Sequence, residues 1–417
     1  MLRRSSVLLA FIVLLAVLAP AQETRPAADT RPDQNDAPAL TEQALKEAEA
    51  GRFDAAVELL ERALKRRPEE RVVTINLSRM LGRRATAAAR KDRFVDAFAD
   101  LERAIALAPE ERYLRAVRAD LRREQGEVFR AESETLAVLA EEPGSAIAFE
   151  VLARCKYDDD DLRAALEALD AAEKLDPSRA PALKAFRTKL EREFEAEKEF
   201  DRVERGTFLV KFDGRDFRSS AEAVLDLLES AERRARDFLG HVPRRRTSVV
   251  LYTRKDFSAV TGAHAWTGGL FDGKIRLPVR NFAETRADVA RTLVHEFMHL
   301  VVRDLTRRCP TWLNEGLAQL AEGRSAEDAR RRLRGKDLKR IAALPDDWFG
   351  VADAGAVSVY YAMGLSFTAW LMADRGPAAM RDLLGKLDGR MPFATTFEEV
   401  YGRPLAEIED SWLETLR

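Results

Sequence analysis

Two histidines four positions apart stand in LVHEFMHL (293–300), in a chain that has only four histidines. The apolar residues around them recur at helical spacing, which predicts a largely buried helix. On such a helix His295 and His299 project from one face about one turn apart, so both imidazoles can reach a single metal ion. Glu296 then lies where it can act on a water molecule beside the metal. Taken alone, the pattern also fits two hydrogen-bonded histidines in a core.

A carboxylate for the same metal occurs downstream, in PTWLNEGLAQL (310–320). Its proline predicts a helix start, which places Glu315 early in a second helix. Two imidazoles and one carboxylate leave a fourth position for water, as catalytic zinc sites require. The sequence therefore predicts Zn²⁺ bound by His295, His299 and Glu315, with Glu296 as the general base.

The HExxH motif followed by WLNEGLA (312–318) resembles the gluzincin metallopeptidases, the clan of thermolysin and aminopeptidase N, and most closely their bacterial peptidase MA-like relatives. The resemblance covers about residues 206–417. It implies an α+β zincin-like domain that hydrolyses peptide bonds with zinc, and it implies that Glu315 is the third metal ligand.

The chain departs from the aminopeptidases in two ways. Only 15 residues separate His299 from Glu315, fewer than in those enzymes. Their GxMEN segment, which holds the free amine of the substrate, has no counterpart. TGGLFDGKIRLPV (267–279) takes its place and is predicted to be an edge strand that pairs with extended substrate. These differences favour an endopeptidase.

A tyrosine completes the predicted site. In SVYYAMGLSFTAWL (358–371), Tyr361 and Gly364 resemble the Tyr-x-x-Gly segment whose tyrosine stabilises the oxyanion in aminopeptidase-N-like enzymes. Tyr360 is the alternative, and both could instead be aromatic residues at the edge of the core. Gln319, one turn after Glu315, fits either a role in orienting a ligand or an ordinary polar contact.

Outside this region, His241 and His264 have no partners at ligand spacing. Cys155 and Cys309 lack zinc spacing as well, and we expect two unpaired thiols rather than a disulfide.

The N-terminal half repeats itself. Four stretches align, each closing on a proline, and the prolines lie 41, 34 and 34 residues apart; the stretches are 51–68, 92–109, 126–143 and 160–177. Each has an alanine at its sixth position. They resemble tetratricopeptide repeats, which stack helix pairs into a solenoid with a concave face for an extended peptide or partner helix. A role as a simple support for the next domain is equally open. The longer first interval predicts one longer helix in that repeat.

The sequence predicts an N-terminal all-α solenoid of the tetratricopeptide type and a C-terminal α+β gluzincin domain. The expected segments are a signal peptide (1–21), a flexible linker (22–38), the repeats (39–178), a connecting helix (179–205) and the peptidase domain (206–417). Strands are expected at 207–212, 247–252 and 273–279, with a helix at 219–239 and mostly helix after residue 285.

The N-terminus predicts export to the periplasm or the exterior. Arg3 and Arg4 precede an apolar run that ends at Ala19-Pro20-Ala21, a small-x-small cleavage pattern. An uncleaved membrane anchor is the alternative. No later segment is expected to span a membrane. The net charge of −2 gives no polybasic surface, so we expect peptide or protein partners and no nucleic acid.

Two functions follow from these features. The first is an exported zinc peptidase whose repeats recruit a substrate or partner. The second is a scaffold protein with a metallopeptidase-like domain that has lost catalysis. The intact set of His295, Glu296, His299 and Glu315 favours the enzyme.

Overall fold

The computed structural model of the protein has two compact units, divided between Leu190 and Glu191. The residues that it describes are 36–214, 218–243, 245–262, 269–279, 282–348, 351, 353–387 and 391–417. The predicted signal peptide, nearly all of the predicted linker, and His264 lie outside them.

The first unit consists of helices that pack in consecutive pairs, α1 on α2, α3 on α4, α5 on α6 and α7 on α8. Their bounds are α1 Ala37–Glu49, α2 Phe53–Arg66, α3 Arg71–Ala89, α4 Phe94–Leu107, α5 Tyr113–Glu124, α6 Val128–Glu141, α7 Ala146–Asp158 and α8 Leu162–Leu175. Each pair also contacts the next, because α2 packs on α3, α4 on α5 and α6 on α7. A 3₁₀ turn, Pro177–Arg179, leads into α9, Ala180–Glu197.

The turn within each pair repeats one backbone conformation. The first residue of every aligned stretch has a positive φ: 76° at Gly51, 56° at Asp92, 83° at Gly126 and 66° at Asp160. Glycine adopts this left-handed conformation without steric cost, and aspartate tolerates it better than most residues. The repeat period read from the sequence therefore corresponds to a structural period.

Packing inside the pairs explains the alanines at the sixth position. All four have no exposed surface: Ala56, Ala97, Ala131 and Ala165. A small side chain lets two helix backbones approach closely at a crossing. The expectation of one longer helix is confirmed, because α3 has 19 residues whereas α5 has 12 and α7 has 13.

The second unit combines a five-stranded mixed sheet with helices. The strands are β1 Asp201–Arg205, β2 Phe208–Phe212, β3 Thr247–Tyr252, β4 Leu270–Phe271 and β5 Ile275–Pro278. Their order is β1-β2-β3-β5-β4, with β2, β3 and β5 parallel and the two edge strands antiparallel to their neighbours. The strands expected at 207–212, 247–252 and 273–279 are confirmed as β2, β3 and β5.

The helices of this unit follow largely as expected. They are α10 Arg218–Leu239, α11 Arg254–Thr261, α12 Phe282–Leu305, α13 Thr311–Ala321, α14 Ala326–Leu333, α15 Ala354–Lys386, α16 Phe393–Tyr401 and α17 Leu405–Glu414. On one face of the sheet, α10 packs on β1 and β2 while α12 packs on β4 and β5. Apolar side chains of these elements form one core with α13 and α15.

The other face of the sheet carries buried charges that meet the last turns of α9. Lys211 Nζ lies 2.6 Å from Glu197 Oε2, and Arg276 Nη2 lies 2.9 Å from Glu193 Oε1. Tyr252 donates its hydroxyl hydrogen to Glu197 and accepts a hydrogen bond of 2.7 Å from Arg276. Opposite charges compensate one another here, as burial of ionised groups requires.

The prediction of a connecting helix through residue 205 is wrong at its C-terminal end. The helix ends at Glu197, and β1 forms a hairpin with β2 through the two-residue turn at Gly206 and Thr207. Gly206 has a φ of 59°, which suits such a turn. The many charged residues before Gly206 favoured a helix in the sequence analysis. In the structure, residues 201–205 form an edge strand in which Val203 is the buried residue.

By length and composition alone, helix α15 could cross a membrane. This differs from the expectation that no segment after the signal peptide would be long and apolar enough to do so. The helix breaks at Gly376, where φ is 74° and Pro377 follows. It also packs against α13, α14 and α16. These contacts are those of a core helix.

Both cysteines are free, as expected. Burial raises the pKa of the Cys155 thiol to about 12. Burial also raises the pKa of Cys309 far above its usual range. Neither thiol is therefore disposed to react as a thiolate at neutral pH.

Replacing Gly51 with alanine tests the turn geometry of the repeats. No atom lies within 4 Å of an added Cβ, so the cost comes from the backbone conformation alone. We expect Gly51→Ala to lower the free energy of unfolding by about 1 kcal/mol, measured by urea denaturation and circular dichroism. Gly144→Ala, at an equally open site without a positive φ, is the control and should be neutral or slightly stabilising.

Candidate functional site

Helix α12 carries the first part of the site. Its apolar side chains, among them Leu293, Phe297 and Val301, are buried in the core of the second unit. His295 and His299 remain partly exposed, with side chains 18% and 13% accessible. Their rings lie 4.7 Å apart between centroids and nearly perpendicular, as two residues one helical turn apart can be.

Helix α13 brings the third residue to the histidines. Glu315 Oε2 lies 3.4 Å from His295 Nε2, and Glu315 Oε1 lies 3.7 Å from His299 Nε2. One nitrogen or oxygen from each of the three residues lies within 4.8 Å of the others, an arrangement that could hold a metal ion. The structure thus brings together the predicted ligand set from two helices.

The donor atoms fit a divalent cation. Glu315 Oε2 is buried and has no hydrogen bond of ordinary geometry among the described residues, and neither does Nδ1 of His299. Glu296 is also buried, with 8% of its surface exposed. Two imidazoles and a carboxylate form the donor set that tetrahedral zinc prefers, and an unsatisfied buried carboxylate oxygen favours a cation beside it.

Glu322 is a site residue that the sequence analysis missed. Its Oε1 lies 3.5 Å from His295 Nδ1, on the side of the ring away from Glu315, and Arg324 donates a hydrogen bond to the same oxygen. A carboxylate behind a metal-binding histidine fixes the orientation of the ring and the nitrogen that carries its proton. The sequence signal that could have identified Glu322 is its position seven residues, or about two helical turns, after Glu315.

Burial and charge shift the acid–base properties of these groups. Burial disfavours the imidazolium of His295, but the carboxylates of Glu315 and Glu322 outweigh it and raise the pKa of His295 to about 10. Burial raises the pKa of Glu296, although the two histidines oppose the shift. A carboxylate with a raised pKa is a stronger base at neutral pH.

Two glycines allow α13 and α15 to cross closely beside Glu315. A Cβ on Gly316 would collide with Thr368 and with the carbonyl oxygen of Gly364. A Cβ on Gly364 would lie 2.6 Å from the carbonyl oxygen of Trp312. Both glycines belong to motifs recognised in the sequence, and the structure gives them a steric reason.

The crossing brings Tyr361 toward Glu315 and Glu296. Burial, followed by the charges of Glu315 and Glu296, raises the pKa of Tyr361 above its usual range. Its ring makes an edge contact with Trp348, at 4.9 Å between centroids. The charges of both site carboxylates therefore act on the Tyr361 hydroxyl.

The hydrogen bonds of Gln319 go to backbone atoms. Its Nε2 atom donates to two backbone oxygens, those of Glu315 at 3.2 Å and Tyr361 at 3.1 Å. The sequence left two interpretations of Gln319 open, orientation of a ligand or an ordinary polar contact. These two hydrogen bonds do not orient a ligand side chain directly.

The sheet edge adjoins the general-base candidate. The segment 267–279, predicted to be one edge strand, contains two strands, of which β4 is at the edge and β5 pairs on both sides. A Cβ on Gly269, just before β4, would lie 3.2 Å from Glu296 Oε1. The backbone leading into the edge strand therefore runs beside Glu296. His241, by contrast, has its own partner, since Nε2 lies 2.8 Å from Asp304 Oδ2.

Comparison with known proteins agrees with this geometry. Residues 241–417 match the family model of the Peptidase MA superfamily. The match includes α12, α13 and α15, and it supports a peptidase MA-type domain, whose superfamily is typically metal-dependent. No curated protein matches the chain.

Gly364→Ala tests the close crossing. The added methyl group meets backbone, which cannot move aside like a flexible side chain, so we expect unfolding to become easier by about 1–3 kcal/mol. Gly385→Ala is the matched control on the same helix, because nothing lies within 4 Å of its added Cβ. That variant should be as stable as the wild type or more stable by up to about 1 kcal/mol. Equal unfolding midpoints for the two variants would contradict the crossing.

Metal binding should release a proton from His295. Since its pKa is about 10, affinity should weaken as pH falls, by about tenfold per pH unit below that value. Glu322→Gln removes one carboxylate that raises this pKa, so proton release at pH 8 should decrease. Calorimetric zinc titrations in buffers of different ionisation enthalpy measure the release. Glu327→Gln, at an exposed carboxylate, is the control and should match the wild type.

Proposed function

We propose that the protein is a zinc-dependent peptidase, and that His295, His299 and Glu315 hold the metal. The observation that carries the proposal is the convergence of these three residues, with nitrogen and oxygen atoms within 4.8 Å of one another and Glu296 beside them. The Peptidase MA superfamily match over residues 241–417 supports protease chemistry. Zinc is favoured over magnesium or calcium because imidazole suits zinc and oxygen-only sites suit the other two.

Zinc in this site would supply Lewis acidity to the scissile carbonyl and lower the pKa of a coordinated water. Glu296 is the general base that takes a proton from the attacking water and passes it to the leaving amine. Its burial supports this role, because a raised pKa brings the carboxyl group closer to the pH at which it must both accept and donate. Glu322 holds His295 from behind and keeps Nε2 directed toward Glu315.

Tyr361 is the proposed donor to the oxyanion. Its hydroxyl lies within the electrostatic reach of Glu296 and Glu315, and burial keeps it protonated at neutral pH. A hydrogen-bond donor placed where negative charge develops contributes most when water is excluded. The edge contact with Trp348 covers one side of the Tyr361 ring and so helps to exclude water there.

An extended peptide is the proposed substrate. Among the described residues, edge strand β4 pairs on one side only, with β5, and the backbone at Gly269 runs beside Glu296. A peptide added to this edge would therefore pass the general base. The sequence has no counterpart of the segment that binds a free amine in aminopeptidases. Cleavage inside a chain, rather than at its end, is therefore proposed.

The repeats and the leader complete the proposal. The shared turn conformation and the buried alanines support tetratricopeptide repeats in residues 39–178, whose concave face would recruit a substrate or a protein partner. The leader with Arg3, Arg4 and the Ala19-Pro20-Ala21 pattern supports export.

Glu296→Gln tests the enzyme against the scaffold alternative. The variant should keep zinc, since Glu296 is not a ligand, but lose peptide cleavage by a factor of about 10² or more. Mass spectrometry of the purified protein gives the metal content, and fluorogenic peptide libraries give the rate. Glu284→Gln, at an exposed site on the same helix, is the matched control and should retain activity. A Glu296→Gln protein with wild-type turnover would refute the assigned base, and a wild type without cleavage would favour the scaffold.

A further inference from the structure

Gln319 lies buried between the two helices that carry Glu315 and Tyr361. Only 4% of its surface is exposed. Its side-chain nitrogen donates to the backbone oxygen of Glu315 on its own helix and to the backbone oxygen of Tyr361 on α15. One amide group therefore joins the backbone of a proposed metal ligand to the backbone of the proposed oxyanion donor.

The two hydrogen bonds are not needed to satisfy the carbonyl groups. Inside a helix, each carbonyl already accepts from the N–H four residues later, which is Gln319 for Glu315 and Leu365 for Tyr361. A carbonyl oxygen has a second lone pair, and the amide of Gln319 has two N–H groups to offer. Both partners are acceptors, so only the NH₂ end can face them. The bond to Tyr361 links α13 to α15, while the bond to Glu315 lies within α13.

This link adds a polar contact to a crossing that is otherwise held by packing. Gly316 and Gly364 let the two backbones approach, the Trp312 ring packs 5.4 Å from the Phe367 ring, and Thr368 lies against Gly316. Packing limits how the helices cross, and a hydrogen bond of fixed length and direction adds a constraint on their register. The reach of the Gln319 amide to Tyr361 fixes where Tyr361 lies along α15 relative to Glu315.

We infer that Gln319 is a positioning residue that holds Tyr361 at the correct distance from the metal-binding carboxylate of Glu315. The inference rests on the proposed peptidase function and deepens it. Gln319 touches neither substrate nor the reacting atoms. Its effect passes through Tyr361, because small displacements of a catalytic group weaken transition-state stabilisation strongly.

Gln319→Met tests the inference with little change in side-chain length. The variant removes both donors but leaves each carbonyl with its helical partner, so the fold should survive. We expect kcat to fall about tenfold with KM changed less than about twofold, because the lost interaction acts in the transition state. Zinc affinity should remain within about threefold of wild type. Affinity for a zinc-binding phosphinic peptide, a tetrahedral analogue, should weaken in parallel with kcat.

A double-mutant cycle separates positioning from a general structural role. In a Tyr361→Phe background, which has no hydroxyl to place, Gln319→Met should change kcat and phosphinic-peptide affinity by less than about twofold. Tyr360→Phe is the matched control, and in that background Gln319→Met should retain its full effect. Equal losses in the wild-type and Tyr361→Phe backgrounds would overturn the positioning role. A wild type that neither cleaves peptides nor binds the phosphinic peptide would overturn the proposed function instead.

Discussion

Negative charge buried around two imidazoles is the constraint on which the rest of the site depends. Glu296, Glu315 and Glu322 are all largely withdrawn from water, and Arg324 forms an ion pair with Glu322. Ionised carboxylates are costly to bury without compensation. A proton on His295, whose pKa is raised to about 10, compensates part of this charge, and a divalent cation would do so between the imidazoles and Glu315. Burial in the same site raises the pKa of Glu296 and so makes it a stronger base.

Helix packing is what allows that charge to be concentrated in one place. The helix with the two histidines packs against β4 and β5, at the edge-strand side of the sheet. The close crossing at Gly316 and Gly364 then places α15 against the helix that carries Glu315. Gln319 links the same two helices at a second point.

Local sequence patterns determined much of this protein. The four-residue spacing of His295 and His299 placed both rings on one helix face, because helical periodicity depends only on the local backbone. The strand runs after residue 206 and the 34-residue repeat, with its alanines and prolines, were equally local signals. The resemblance of WLNEGLA to a known motif added Glu315, which spacing alone would have left as one of many carboxylates.

Only the tertiary structure decided which distant residues meet. The role of Glu322 behind His295 depends on how α13 packs against α12, and the link from Gln319 to Tyr361 depends on how α13 crosses α15. Strand β1 was missed because its charges favoured a helix, while its pairing with β2 lies in long-range hydrogen bonds. Secondary structure follows from neighbours along the chain, whereas side-chain partners follow from helix crossings and strand pairings that no local pattern encodes.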